Sequence, residues 1–335
     1  MSQVSSREVR LKSRPAGMPE AEHFDVEEVA VAAPGAGEVL VRNHYMSVDP
    51  YMRGRMVDRK SYVPPFQIGE VLQGGAVGEV LESNAPDFPV GTFVQHNYGW
   101  REAFSAKTDG MVAVDPTLAP LSTYLGVLGM PGMTAYVGLF NAASMKDNET
   151  VFVSGAAGAV GSLAGQIAKV KGARVIGSAG SDDKVRHLQD ELGFDYAFNY
   201  REGELLKQLR KGAPDGLDVY FDNVGADHLE AALFHMRPFG RIALCGAIAT
   251  YNDTDPRPGP VNMSMAIGLG LRLQGFIVSH YADARDAFIR DVAGWIKDGS
   301  VKYDETVLEG IDQAPEAFKG LFTGANIGKM LVKLS

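Results

Sequence analysis

The sequence predicts an α/β chain in two parts, a mainly β first part and a doubly wound parallel sheet after it. Three observations carry this. Short β-rich runs cut by Gly and Pro fill the first third of the chain. From about residue 125 apolar β runs alternate with helical stretches. The first of those runs leads into a Gly/Ala turn, and a helical pattern follows at once.

In the first part, residues 39–42 (VLVR), 75–81 (GAVGEVL) and 91–94 (GTFV) are the β-rich runs. Pro34-Gly35 and residues 84–86 (NAP) are turn signals. No long helical stripe precedes about Leu121.

In the second part, the strand candidates are 150–154, 174–177, 196–198, 217–221, 241–244 and 271–276. Helical patterns occupy 160–171 and 182–192, with helical material between most of the remaining runs. Such alternation builds βαβ units whose crossovers cover both faces of a parallel sheet. Residues 254–260 (TDPRPGP) read as a surface loop. The tail, 301–335, returns to short strands with one helix around 314–321, and pattern alone does not say where it packs.

The strongest motif is residues 150–161, TVFVSGAAGAVG. Ala156-x-Gly158-x-x-Gly161 matches the dinucleotide fingerprint with Ala in the first Gly place. Gly158 lets backbone approach a pyrophosphate, and Gly161 lets the helix pack close to the strand. The helix start, with Ala159 and Val160, offers N–H groups and a partial positive charge to phosphate. The alternative is a plain Gly-rich βα turn. NAD-type folds carry an Asp or Glu about 20 residues on, to hold the ribose 2′-hydroxyl. Here the tip of the second strand is Ala179-Gly180, and Lys184 follows within a turn. A lysine there can pair with a 2′-phosphate, which favours NADP(H) over NAD. Asp182 and Asp183 can also be ordinary helix N-terminal acids, and Lys184 a solvated helix lysine.

Composition excludes several classes. At 335 residues the chain is long enough for two cores. A net charge of −9 argues against nucleic acid as a partner, because a basic surface must replace phosphate counterions. No run of about 18 apolar residues occurs, so no membrane span is expected. Residues 265–278 come nearest and carry Arg272 and Gln274. Residues 1–14 have no apolar signal-like core, so a secretory leader is not expected. Cys245 is the single cysteine, which fits a reducing, cytoplasmic setting and removes any intrachain disulfide. It ends a predicted buried strand and reads as a small core residue rather than a reactive thiol. The histidines (23, 44, 96, 187, 228, 235 and 280) show neither H-x-x-x-H nor H-E-x-x-H spacing, so no metal is expected. There is no G-x-S-x-G elbow and no Walker A lysine.

Several further segments stand out: 47–55 (SVDPYMRGR), 125–136 (LGVLGMPGMTAY), 155–169, 181–184 (SDDK), 198–200 (FNY) and 220–225 (YFDNVG). They continue with 245–252 (CGAIATYN), 273–278 (LQGFIV) and 326–329 (NIGK), in order through almost the whole chain. Taken together they resemble one family, the zinc-free medium-chain dehydrogenases/reductases. That family includes leukotriene B4 12-hydroxydehydrogenase/15-oxoprostaglandin 13-reductase, plant alkenal double-bond reductases and bacterial NADPH-dependent curcumin reductase. Gly54-Arg55, and Ser61, Tyr62, Pro64 and Pro65 after it, look most like the curcumin reductase branch. Gly155 stands where many relatives have another residue, a mild departure.

The resemblance implies a GroES-like substrate domain over 1–127 and a Rossmann NADP-binding domain over 128–298. Residues 299–335 would return to the first domain, and the molecule would be a homodimer. It also implies the cofactor contacts. Gly158, Ala159, Val160 and Gly161 would meet the pyrophosphate; Lys184 and Tyr200 would hold the adenosine 2′-phosphate. Asn223, then Cys245, Gly246, Ala247, Ile248, Ala249, Thr250 and Tyr251, then Phe276, Ile277, Val278 and Asn326 would line the ribose and nicotinamide. The implied reaction reduces the C=C bond of an α,β-unsaturated ketone or aldehyde. Hydride at the β-carbon builds charge on the carbonyl oxygen, which needs a donor, and the α-carbon needs a proton. A phenol suits both tasks, being neutral at pH 7 and apolar on its faces.

The candidate phenols are Tyr251, Tyr51 and Tyr62; the residues alone favour packing over catalysis for each, and the resemblance is what makes them candidates. Arg53 reads as structural, bonding local carbonyls. Met46, Met52, Met263 and Met265 are candidates for an adaptable substrate wall or for the core. A quinone reductase of the same fold and a non-catalytic NADPH-binding protein stay open as alternatives. A metal-free alcohol dehydrogenase is disfavoured because no Tyr-x-x-x-Lys pair is convincingly placed.

Overall fold

The computed structural model describes residues 4–335, which form two compact units. The first comprises the described residues up to Gly126 with Glu305–Asn326 and Met330–Ser335. The second comprises Val127–Asp304 with Ile327–Lys329.

The first unit is built on a sheet in the order Glu305–Glu309, Lys329–Lys333, Glu38–Ser47, Ala76–Ser83, Phe93–His96, Val112–Val114. Ala103–Lys107 also pairs with the long Glu38–Ser47 strand, antiparallel like its other neighbours. A separate antiparallel ribbon joins Ser5–Leu11 to Phe24–Ala30, with Ser5 opposite Ala30 and Leu11 opposite Phe24. The sequence pattern did not show this ribbon, because charged residues interrupt both strands (SSREVRL and FDVEEVA) and much of the second is exposed. Val39, Val41, Val80, Val94, Phe104 and Met111 form one core cluster. Met46, Met52, Met56 and Trp100 join Phe318 and Val332 of the C-terminal segment in another. Met46 and Met52 have no exposed surface, so they are core side chains and not substrate-wall residues. Full burial of such a side chain contributes about 1.5–3 kcal/mol.

The second unit holds a six-stranded parallel sheet in the order Tyr196–Asn199, Arg174–Ala179, Thr150–Val153, Leu217–Asp222, Met236–Leu244, Arg272–Gly275. In chain order that is third, second, first, fourth, fifth, sixth, the doubly wound Rossmann order. The order reverses between Thr150–Val153 and Leu217–Asp222, which pair directly. Ligand crevices of such sheets open outside the carboxyl ends of the strands at this reversal. All six predicted strands are present. Met236–Leu244 starts five residues before the predicted 241–244 run. Its first half holds Pro238 and Gly240, which read as a break, and it is accommodated by a register shift, with Phe239 at φ 62°. Phe152 and Tyr220 stack at 4.8 Å in the centre of the sheet's core.

Candidate active site

Thr150–Val153 runs into a tight turn at Gly155, and the Gly158 N–H donates to the Gly155 carbonyl at 3.1 Å. Helix Ala159–Val170 begins with Gly158 as its extended N-cap and has no side chain capping its first N–H groups. Those groups have no intrahelical partner and sit at the positive end of the helix dipole. A Cβ on Gly161 would lie 2.4 Å from the Gly155 carbonyl oxygen, so only hydrogen fits. A Cβ on Gly158 would meet only the Gly155 oxygen, at 3.4 Å, so the turn is open there. Open backbone beside unpartnered donors suits a pyrophosphate. Gly328 braces the turn, its N–H donating to the Ala157 carbonyl at 2.8 Å. Its φ is +64°, and a Cβ there would lie 2.0 Å from the Asp304 carbonyl oxygen.

At the tip of the second strand, a Cβ on Gly180 would lie 3.2 Å from the Tyr200 hydroxyl and 3.5 Å from Arg201 Nε. The Arg201 guanidinium stands 5.9 Å from the Tyr200 ring centre. Lys184 lies in the first turn of helix Asp182–Asp190, whose N-cap, the Ser181 hydroxyl, accepts from the Lys184 N–H at 3.4 Å. Burial lowers the Lys184 pKa, and the nearby Arg201 charge lowers it further. Two cations and a phenol thus gather near the place where NAD-type folds carry a carboxylate, which is an arrangement for an anion. Arg201 was missed in the sequence; its only signal was its place directly after residues 198–200. Asp182 and Asp183 are engaged locally as helix N-terminal acids. Asp182 accepts from Asn199 Nδ2 at 3.0 Å, and Asp183 pairs with Arg186. The Tyr200 ring also meets His228 edge-on at 5.1 Å. Burial holds the His228 pKa down to about 4, so this imidazole is neutral.

At the sheet reversal a buried network fixes the strand ends. Asp222 Oδ1 accepts from the Tyr220 hydroxyl (2.7 Å), the Ser154 hydroxyl (3.2 Å), and the N–H groups of Val224 (3.0 Å) and Gly225 (2.7 Å). Burial raises the Asp222 pKa against the pull of these donors. Asn223 is held at both ends. Its N–H donates to Ser154 Oγ at 3.0 Å and its Nδ2 to the Ser154 carbonyl at 2.8 Å.

The Asp222 carbonyl accepts from the N–H groups of Cys245 and Gly246 at 2.9 and 3.0 Å, which starts the 245–251 segment here. Burial pushes the Cys245 thiol up to about 12, with Asp222 adding to it, so this thiol is inert at neutral pH. Ile248–Thr250 forms a short helical turn that ends at Tyr251. The Tyr251 hydroxyl accepts from the Ala247 N–H at 3.2 Å, which leaves its own proton to donate. Burial raises its pKa, so the phenol is protonated at neutral pH. Phe276 packs edge-on against Phe221 (6.3 Å) and Tyr281 (6.4 Å), and Ile277 and Val278 follow, half-buried. Asn326 is a buried residue of the first unit.

In the first unit, the single helical turn Met52–Arg55 puts Tyr51 and Arg55 four residues apart on one side, where the guanidinium and the phenol act on each other electrostatically. Arg55 Nε donates to the Pro64 carbonyl at 2.9 Å and Nη2 to Gln73 Oε1 at 3.1 Å. Its guanidinium lies 4.0 Å from the Phe66 ring centre. Tyr62, 61% exposed, sits on the loop between, within electrostatic reach of Arg55. Burial raises the Tyr51 pKa and Asp49 adds to that, while Arg55 opposes both. Tyr51 and Tyr62 therefore both act on Arg55, which the sequence marked as part of the 47–55 motif but gave no role. Arg53 is structural, as read: it donates to the carbonyls of Gly17 (2.9 Å) and Pro15 (3.2 Å).

Two family profiles match the chain. One is described as the N-terminal domain of oxidoreductase, over residues 7–114, the other as zinc-binding dehydrogenase, over residues 159–293. The NADPH-dependent curcumin reductase of Escherichia coli (strain K12) is 41% identical over 342 residues, spanning 100% of this chain and 99% of its own length. The NADP-dependent 2-alkenal reductase of Nicotiana tabacum is 43% identical over 341 residues, spanning 99% and 98%. The crystal structure of CurA from Vibrio vulnificus in complex with NADPH matches with a TM-score of 0.94 at 40% identity, covering 98% of this chain and 99% of that one. Catalytic zinc needs three protein ligands. Among the described residues no group of three or more His, Cys, Asp or Glu is placed to hold a metal ion, so the zinc in the second profile's description finds no donor set here. No helix among the described residues is long and apolar enough to cross a membrane.

Proposed function

This chain belongs to the zinc-free, NADP-dependent medium-chain reductase family, and from that premise we propose that it reduces the C=C bond of α,β-unsaturated ketones and aldehydes with its own phenols as donors. The observation that carries this reading is end-to-end similarity to a curcumin reductase and a 2-alkenal reductase, whose named substrates share a double bond conjugated to a carbonyl.

NADP(H) is held in three places. Gly158, Ala159, Val160 and Gly161 take the pyrophosphate on backbone donors. Lys184, Tyr200 and Arg201 take the 2′-phosphate. Asn223, the 245–251 run, residues 276–278 and Asn326 take the ribose and nicotinamide. When bound, NADPH supplies a hydride, with its two electrons, to the β-carbon. The carbonyl oxygen then carries negative charge and needs a hydrogen-bond donor already in place. The α-carbon needs one proton, after which the substrate has gained two hydrogens. Tyr251, Tyr51 and Tyr62 share these two tasks, and a phenol that gives up its proton regains one from water. The same reading has a cytoplasmic homodimer acting on small apolar carbonyl compounds, with neither nucleic acid nor membrane as partner.

The test follows NADPH absorbance with an alkenal, a cyclic enone, a curcuminoid and a quinone, each repeated with NADH and with a chelator. Oxidation of NADPH on the enones is expected, slower with NADH and unchanged by chelator, from a protein that elutes as a dimer. Turnover on quinones alone moves the reading to quinone reduction. Tight NADPH binding without turnover on any of the four moves it to a non-catalytic NADPH-binding protein.

A further inference from the structure

We propose that Arg55 is a positioning residue for this reaction: its guanidinium, fixed beside the Tyr51 hydroxyl and the loop that carries Tyr62, makes Tyr51 the better proton donor. The proposal rests on the enone-reductase reading and adds a residue and a role to it.

Arg55 is only 8% exposed. Burying a cation is costly unless its donors are used. Here the donors go to neutral acceptors, the Pro64 carbonyl and Gln73 Oε1, and the face of the guanidinium lies on Phe66. The ionisable groups that act on it are the two phenols, Tyr51 and Tyr62, and not a carboxylate. A cation bonded to neutral partners keeps its charge for its neighbours. Around Tyr51 the groups that matter are Asp49, Arg55 and Tyr62, and among them Arg55 is the one that favours the phenolate.

The chemistry needs this. When Tyr51 protonates the α-carbon, its O–H bond breaks, a C–H bond forms, and the electron pair of the O–H bond stays on the oxygen as phenolate. A buried phenolate is unfavourable, and the adjacent guanidinium stabilises it until water returns a proton. Arg55 stays protonated throughout and does not touch substrate in this scheme.

The loop does not depend on Arg55 alone. Arg14 bridges its two ends, donating to the Met56 carbonyl at 3.0 Å and the Phe66 carbonyl at 2.9 Å. Arg55→Gln is therefore expected to fold. Measured with an enone at saturating NADPH, Arg55→Gln is expected to lower kcat roughly tenfold and enlarge the solvent deuterium isotope effect, with KM for NADPH unchanged. Arg55→Lys, which keeps the charge, is expected to recover most of kcat. In a Tyr51→Phe background the Gln substitution should cost nothing further, because the two residues act as one device. An equal loss from Arg55→Gln in both backgrounds, a rise in KM with kcat unchanged, or no rescue by Lys overturns the proposal. Wild-type turnover that Tyr51→Phe leaves intact overturns this proposal alone. A wild-type protein inactive on every enone overturns the parent reading and this one with it.

Discussion

At the scale of single residues, the chemistry of this chain lies in groups that become neighbours only through folding. Lys184 is legible in the sequence, since it follows the second strand within a turn and the strand tip, Ala179-Gly180, carries no carboxylate. Arg201 is not, because its position after the third strand says nothing until that strand lies beside the second, in the register Asn199 opposite Ala179. Burial lowers the Lys184 pKa and the nearby Arg201 charge lowers it further, and an anion beside the two cations relieves the repulsion. Arg201→Ala is expected to weaken NADPH binding about ten- to a hundredfold, the size of one charge-assisted bond to phosphate, and to leave NADH binding nearly unchanged. Titration of intrinsic fluorescence with each cofactor checks it. Equal weakening of both would mean that Arg201 supports the fold of the pocket and not the phosphate. Arg55 was hidden for a similar reason. The motif that contains it was visible, but its contacts with Tyr51, Pro64, Phe66 and Gln73 depend on how the following loop closes.

At the scale of elements, the βα turn was the most legible feature, because its requirements are local: a strand, small residues, and a helix start. Two of its glycines do different work, and this separates stability from binding. Gly161 has no space for a methyl group against the Gly155 carbonyl, so Gly161→Ala is expected to destabilise the fold by about 1–3 kcal/mol through overpacking. Gly158 has space but faces outward, so Gly158→Ala is expected to leave the melting temperature within about 2 °C and to lower NADPH affinity instead. Thermal melts with and without NADPH distinguish the two. Elements read less well where local chemistry and tertiary role disagree. The Met236–Leu244 strand hides its first half behind Pro238 and Gly240, and the Ser5–Leu11/Phe24–Ala30 ribbon hides behind its charges. Both form because neighbouring strands supply the partners that local propensity does not.

At the scale of the whole molecule, each unit encloses a neutral imidazole. His96 of the first unit is held down to about 3 and His228 of the second to about 4, in both cases by burial first. An unfolded histidine titrates near 6.5. Between these values the unfolded chain binds protons that the folded chain does not, so stability rises with pH across the window. Urea unfolding is therefore expected to show full stability above about pH 6.5 and a loss of up to about 1.4 kcal/mol per pH unit per imidazole below it. For His228 the loss ends near pH 4. His228→Phe should flatten its part of the slope, and an unchanged slope in that variant would show that other groups set the acid limit. By itself the sequence determined the alternation of strands and helices in the second unit, the phosphate-binding turn, the want of a cysteine or histidine pattern for metal, and the family, because each is written in local spacing or in residues that follow one another. Tertiary structure alone decided how the tail divides, with 305–326 and 330–335 in the first unit and Ile327–Lys329 in the second, where Gly328 braces the turn. It alone decided that Met46 and Met52 are core, that Arg201 stands near Lys184, and that Arg55 is anchored at Pro64, Phe66 and Gln73. The physical reason is common to all of these: strand pairing and crossovers bring together side chains far apart in the chain, and no local periodicity records which of them will meet.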